Sequence, residues 1–394
     1  MRETGILEEL RMLNLYRNPG ANFFIFDTLM YEMVKAEKNI TLQLNCSCQN
    51  AEMDHNRISS VTGWQLASET YHHVKARWFA DCSGDGILAP LSGAPFRQGR
   101  EAKSEFGESC APEETDARTM GHSIRYQIRR CDTPQPFIPP PWAYRFDSCD
   151  EIPRGINGHS GNLIGLGYWW IELGGEDDPI HDNEMLRDEL LKIAYGVWDH
   201  IKNRCPHHRK DAECLELDWM QFLPAKRESR RFVGAHVLTQ NDVESEGRFE
   251  DTVAYGGWAM DDHDYAGFRA VKADRPATVF YKTPSPYGIP LRCLYSEKVP
   301  NLLFAGRDAS ASHFAMSSTR VMGTGMAMGQ AVGTAVGLLK EKKLDAPDEL
   351  PTNINHLQQQ LLWDDCYLPR VPLTISPAAA SGRLSASRHD PEPV

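Results

Sequence analysis

The sequence predicts a mixed α/β fold, and three observations carry that reading. Residues 77–81 are aromatic and apolar and run straight into the turn Cys82-Ser-Gly-Asp-Gly86, as a buried strand does. Residues 301–305 (Asn-Leu-Leu-Phe-Ala) are a second apolar run of strand length, stopped by Gly306. Helical periodicity lies between and after them: residues 183–203 set Leu186, Leu190, Leu191, Ile193, Ala194, Val197 and Trp198 mostly on one face.

The remaining elements follow in chain order. Residues 22–38 carry Phe23, Phe24, Phe26, Leu29, Met30, Met33 and Val34 at amphipathic-helix spacing, with Asn39 as the stop. Residues 40–45 alternate Ile, Leu, Leu against Thr, Gln, Asn, which predicts a half-buried strand. Residues 58–66 and 68–75 read as two more strands, polar on one side. A new helix is expected near Ile87. Residues 105–170 are rich in Pro and Gly around Phe137-Ile-Pro-Pro-Pro-Trp142 and predict irregular structure. Residues 217–238 return to sheet. Residues 324–340 form a helix of small residues (Ala327, Gly329, Ala331, Gly333, Ala335, Gly337) able to pack close to a sheet or ligand. Beyond Arg370 the Pro, Ala, Ser and Arg composition predicts a disordered tail. No internal repeat is present.

Bulk properties exclude several classes. The 394 residues suffice for two domains, and 41% hydrophobic with 24% charged residues is ordinary for a globular chain. With 42 Lys and Arg against 54 Asp and Glu, the formal charge is −12, which repels nucleic-acid backbones and anionic lipid. No apolar run reaches membrane-spanning length. Met1-Arg-Glu-Thr-Gly-Ile has no basic-then-apolar signal pattern, so a native start here implies a cytoplasmic protein. Ten scattered cysteines form no disulfide framework.

Two motifs carry chemistry. In Phe79-Ala-Asp-Cys-Ser-Gly-Asp-Gly86, a strand ends at Asp81 and a turn with two glycines and Asp85 leads to a helix start. Glycine lets a ligand approach the main chain, and the helix N–H groups point into the turn. A plain strand-to-helix connection would look the same. In Asn301-Leu-Leu-Phe-Ala-Gly-Arg-Asp308, a cation and an acceptor follow the glycine at once, where a diphosphate or sugar hydroxyl needs them. Ser312-His313 and Ser318-Thr-Arg320-Val-Met-Gly-Thr-Gly325 follow, and the long helix starts near Thr324 with its positive end free.

Together these segments resemble the FAD-dependent oxidoreductases related to the fumarate reductase flavoprotein superfamily. In that family a strand ending D-x-T/S-G-D-G and a later N-L-L-x-A-G-R strand both touch FAD. Gly93-Ala-Pro-Phe-Arg-Gln-Gly-Arg100, Ser104-Glu-Phe-Gly107, Arg227-Glu-Ser-Arg-Arg231 and Tyr287-Gly-Ile-Pro-Leu-Arg292 are similar to the family too, in order from near Met1 to about Leu339. The resemblance implies a Rossmann-like, glutathione reductase-type FAD-binding domain with an inserted α+β substrate domain. Its parts would be residues 1–104 and 291–345 for the FAD domain, 105–290 for the insert, 346–370 for a C-terminal extension and 371–394 for the tail. Implied FAD contacts are Asp81, Ser83, Gly84, Asp85, Gly306, Arg307, Asp308, Gly323, Thr324, Gly325 and Met326.

The family opens with a strand, a GxGxxG turn and a helix that hold the FAD diphosphate. This sequence lacks that opening, so the expectation is a truncated chain whose sheet misses its first strand and whose FAD binding is impaired. Gly323-Thr-Gly325-Met-Ala-Met-Gly329, with Asp345 downstream, mimics the fingerprint, but no strand precedes it. On the substrate side the candidates are His313, able to move a proton near neutral pH, and Arg320 and Arg230, able to hold a carboxylate or another oxygen-rich small molecule. Arg230 could equally sit in a surface cluster with Lys226, Arg227 and Arg231, and Asp261-Asp-His263-Asp reads as a solvated acidic loop. Cys205-Pro-His-His208 with Cys214 matches no closed zinc pattern. Two other readings stand beside the flavoenzyme: a non-enzymatic fragment that folds with a partner supplying the missing strand, and a small metal module around Cys205–Cys214.

Overall fold

The computed structural model describes residues 4–152, 171–270 and 278–382. The chain begins with helices Ile6–Arg17 and Phe23–Ala36, which pack on each other. The Asn22 side chain starts the second by accepting the backbone N–H groups of Phe24 and Ile25 at 2.9 and 3.3 Å. Arg17 and Glu32 bridge the pair. Only Leu10 and Leu29 of these helices are buried.

The strand expected at residues 40–45 does not form; that stretch is loop. Its last residue accepts Leu66 N–H at 3.0 Å, but the stretch joins no ladder, and a strand needs a neighbour to take its backbone hydrogen bonds all along. The chain instead enters an antiparallel meander, Cys46–Asp54, Arg57–Gln65 and Thr70–Lys75. The last two match the expected strands. The first was not foreseen, because its sequence is polar and half-exposed along its length. His55, at φ +55°, makes the tight turn into the second strand.

Strands Phe79–Asp81 and Leu302–Phe304 lie side by side and parallel, Phe304 opposite Asp81. Asn301 joins this pair to the meander: its amide oxygen accepts Ile58 N–H at 3.0 Å, and its amide nitrogen donates to the carbonyls of Ile58 and Arg77 at 2.8 and 3.0 Å. Ile58, Phe79, Phe232, Leu302 and Phe304 share one core, in which the Phe232 and Phe304 rings stack at 4.4 Å. Each such side chain contributes about 1.5–3 kcal/mol on burial.

A second core is built on helix Asn183–Asp199, which covers the antiparallel pair Tyr126–Arg130 and Leu215–Met220. Residues 105–152 are otherwise mostly irregular, as expected; residues 153–170 of that stretch lie outside the described residues. The helix ends in a wider π turn, His200–Arg204. The third and largest core joins helix Met322–Lys342 and helix Ile354–Trp363 to the pair Thr252–Gly256 and Tyr287–Pro290. The sheet expected over 217–238 is reduced to Leu215–Met220 and Arg231–Phe232. Residues 261–264 are no solvated loop: Met260–His263 is a strand paired with Thr278–Tyr281, and Asp261 and His263 are buried. Gly323–Gly329 lies inside helix Met322–Lys342, preceded by helix His313–Thr319 rather than a strand. Of the expected tail, residues 371–382 carry one helical turn, Pro377–Ala380, and 383–394 lie outside the described residues.

Candidate active site

Pairing of the two parallel strands sets their C-terminal turns next to each other, the place where α/β folds bind ligands. Asp81 closes the first turn from within. One of its oxygens accepts Ser83 N–H at 2.9 Å and the other accepts Leu88 N–H at 2.7 Å. The Ser83 hydroxyl accepts the N–H groups of Asp85 and Ile87, both at 3.3 Å. Gly84 at φ +73° and Gly306 at φ +109° take left-handed backbone that glycine tolerates best. Asp85 binds Lys226 at 2.7 Å, the Ser229 hydroxyl at 2.7 Å and Arg307 at 3.1 Å. Burial alone would raise its pKa, but these partners outweigh burial and hold the carboxylate below its ordinary range.

The second turn leaves buried polar atoms without partners. Arg307 uses Nη2 on Asp85, while its buried Nη1 has no hydrogen bond. Asp308 is fully buried and neither carboxyl oxygen is bonded. Burial, and then the charge of Asp81, push its pKa well above the ordinary carboxylate value. Helix Met322–Lys342 starts against this turn: a Cβ on Gly325 would sit 3.6 Å from the Gly306 Cα. Its first N–H groups, including those of Gly323 and Thr324, have no partner within the helix. Met326 follows one residue later. Leu7 of the first helix approaches at Gly323, where an added Cβ would lie 3.3 Å from it.

A buried ionic layer lies beyond the second turn. Ser312 caps helix His313–Thr319 by accepting Ala315 N–H at 3.2 Å, which seats His313 inside the protein. His313 Nδ1 lies 2.9 Å from Glu228, and Nε2 lies 3.1 Å from Asp262. Burial alone would lower the ring's pKa; Glu228 and Asp262 override it and raise it to about 10. The ring is therefore charged at neutral pH, which corrects the expectation of a group titrating there. Arg231, fully buried, pairs with Glu228 and with Glu101 (2.8 Å) and donates to the carbonyls of Gly99 (2.7 Å) and Ala311 (3.0 Å). Glu101 in turn accepts His313 N–H at 2.9 Å.

A parallel chain of charges holds Arg320. Its Nη2 donates to the carbonyl and carboxylate of Asp261, both at 3.1 Å. Asp261 lies 3.3 Å from His263, His263 2.9 Å from Glu172, and Glu172 2.5 Å from Arg227. Burial and then Arg227 lower the Arg320 pKa to about 10. A cavity of about 180 Å³ opens beside both chains, with Arg100, Asp262, Tyr265, Tyr281 and His313 in its wall.

The structure thus divides the substrate-side candidates. His313 reaches the cavity. Arg320 is tied to Asp261 one layer behind it. Arg230 lies away from both, over the Phe96 ring at 5.6 Å and 3.4 Å from the Asp85 carbonyl, on the strand-end turn. The surface cluster weighed for it does not exist, since Arg231 and Arg227 are buried and Lys226 is bound to Asp85. Sequence reasoning missed Glu101, Glu172, Glu228 and Arg231. Arg227-Glu-Ser-Arg-Arg231 carried the signal, as charges packed directly before Phe232-Val. It also missed His122, fully buried with both ring nitrogens unbonded, whose pKa falls to about 4 through burial and then the charges of Lys226 and Arg307.

These groups fit a flavin dinucleotide. The unbonded Arg307 nitrogen suits an anionic or carbonyl oxygen, and the unbonded Asp308 carboxyl oxygens suit a sugar hydroxyl. The two glycine turns allow close approach. The family model of FAD dependent oxidoreductases matches residues 8–361. No curated protein and no solved structure matches the chain. None of the helices among the described residues is long and apolar enough to cross a membrane. With the match running over most of its length, and with FAD as the cofactor of that family, the chain belongs to the FAD-dependent oxidoreductases.

Proposed function

We propose that this chain oxidises or reduces a small oxygen-rich or carboxylate-bearing molecule in the cavity beside His313, with FAD held at the two strand-end turns. The observation that carries the reading is the set of unbonded buried atoms on Arg307 and Asp308, beside glycine turns that leave room for a ligand. When bound, FAD supplies the two-electron chemistry. Arg100 at the cavity wall can orient a carboxylate, although Asp116 already shares its guanidinium at 3.0 Å. His313 holds a proton at Nε2 facing Asp262 and the cavity, and acts as acid rather than base. Arg320 sets Asp261 and the strand Met260–His263, and positions the wall rather than touching substrate. Gly323, Thr324, Gly325 and Met326 would face the flavin's electron-rich edge with the helix N-terminus. The separate core around helix Asn183–Asp199, drawn from residues 124–220 and Phe268, supports an insert within residues 105–290 of a Rossmann-like FAD domain of the fumarate reductase kind, while other residues within 238–289 share a core with helix Met322–Lys342.

The same reading includes weak FAD binding by this chain alone. Among the described residues no strand runs into a glycine fingerprint that would cradle the diphosphate, and Asp81 and Ser83 are occupied within their own turn. The test is the visible flavin spectrum of the purified chain before and after addition of FAD. We expect a colourless protein that gains flavin only at high FAD concentration, and firm binding once an upstream strand–turn–helix segment is supplied. A stable flavin spectrum from the outset refutes the weak-binding part. A chain still colourless with that segment refutes the flavin site.

A second reading, a chain that works only on a partner, has one specific observation behind it. Tyr16, Phe24, Leu15 and Phe23 of the first two helices are 85%, 75%, 71% and 69% exposed.

A further inference from the structure

We infer that Cys149, His200 and Cys205 form a metal site, with zinc(II) as the ion. The three side chains come from different places: Cys149 from the start of the 3-10 turn Cys149–Glu151, and His200 and Cys205 from the start and the C-cap of the π turn that closes helix Asn183–Asp199. Their donor atoms all lie within 4.8 Å of one another. Cys149 Sγ is 3.7 Å from Cys205 Sγ and 3.3 Å from His200 Nε2. Tetrahedral zinc, with Zn–S of about 2.3 Å and Zn–N of about 2.0 Å, sets its sulfur ligands about 3.8 Å apart and sulfur and nitrogen about 3.5 Å apart. The observed spacing meets both values before any ion is added.

The surroundings are arranged as around a ligand set. His200 Nδ1 lies 2.9 Å from the Phe146 carbonyl and donates to it. That bond fixes the ring and leaves Nε2 as the acceptor, 3.3 Å from Cys149 Sγ and within 4.8 Å of Cys205 Sγ, the support metal-binding histidines ordinarily have. The Cys205 loop is pinned as well, since Lys202 Nζ donates to the carbonyls of Ala212, Glu213 and Leu215 at 2.7, 3.0 and 2.8 Å. A π turn inside a helix costs hydrogen-bond geometry and recurs at functional sites; here it sets His200 and Cys205 toward one point. His200 and Cys205 are fully buried and Cys149 is 9% exposed, so the ion would sit away from bulk solvent. Two thiolates and an imidazole favour zinc over magnesium or calcium. The site would clamp the loop around Phe146 and Cys149 to the helix, far in chemistry from the flavin turns and independent of them.

The experiment is metal analysis of the full chain, purified in reductant, loaded with zinc and desalted. We expect close to one zinc per chain, lost in Cys205→Ser and His200→Ala and kept in Cys214→Ser. Zinc loss by chelation should lower the melting temperature by several degrees. Substitution of cobalt(II) in the unmutated chain gives a readout that does not depend on variants folding: sulfur-to-cobalt charge transfer with strong tetrahedral visible bands is expected. A chain that holds no zinc after loading, zinc retained in full by Cys205→Ser, or cobalt spectra without a thiolate band each overturn the site. A Cys149–Cys205 disulfide in chain that rejects zinc overturns it too, in favour of a redox pair.

Discussion

His313 sits between two carboxylates, and that position has a consequence for pH. Its ordinary value is 6.5 and its value in the folded protein is about 10. Below pH 6.5 the ring is protonated folded and unfolded, and its contribution to stability is complete. Between the two values the unfolded chain releases the proton while the folded chain keeps it, so the contribution shrinks as pH rises and is gone above about 10. Urea unfolding of the unmutated protein should therefore show falling stability across that range, and His313→Gln should flatten the slope. A slope indifferent to the substitution would remove the buried imidazolium from the account. The same variant should lower flavin-dependent turnover by roughly 10²-fold if the ring serves as acid. Arg231 shows the other side of buried charge: it satisfies Glu228, Glu101 and two carbonyls at once, and without it those carboxylates would stand uncompensated.

At the scale of elements, the site is two strand-to-helix turns brought together by one parallel pairing. Gly84 is the position where that arrangement has least room. At φ +73°, a Cβ would sit 2.8 Å from Nη2 of Arg307. Gly93 has a similar φ of +74° but nothing within 4 Å of an added Cβ, so it serves as a control for backbone strain alone. Gly93→Ala should cost about 1–2 kcal/mol. Gly84→Ala should cost more and, on the proposed FAD site, also weaken FAD binding, because it displaces the Arg307 guanidinium. Equal losses in chemical unfolding for the two variants would mean that Arg307 moves aside freely. The elements themselves were legible to different degrees. Long periodic helices and the apolar strands at 79–81 and 302–304 show in the sequence because their side chains repeat at fixed spacing. Residues 40–45 have the alternation of a strand but join no ladder, which no local pattern can reveal.

On the scale of the whole molecule, three cores divide the work. One carries the strand ends, one the unit around Trp198, and one the long helix. The first two helices belong fully to none of them, and they present Leu15, Tyr16, Phe23 and Phe24 to solvent. Exposed apolar surface of that kind drives association. Light scattering should give a mass above 44.4 kDa that rises with concentration, and Phe24→Gln should shift it back toward the single-chain value. A wild-type mass of one chain at every concentration would show that these side chains stay in water without consequence.

The sequence by itself determined the α/β character, the two glycine turns that follow buried strands, and the family to which they point, because these depend on local spacing and on residue types that few other conformations accept. It also showed that Gly323–Gly329 is no dinucleotide fingerprint, since a fingerprint needs a preceding strand. Only the tertiary structure decided that His313 is a charged ring between Glu228 and Asp262, that Arg320 serves Asp261, that Arg230 belongs to the strand-end turn, and that Cys149 meets His200 and Cys205. The reason is physical. Each of these roles depends on burial and on a partner tens to more than a hundred residues away, and the pKa of a side chain is set by what surrounds it rather than by what precedes it in the chain.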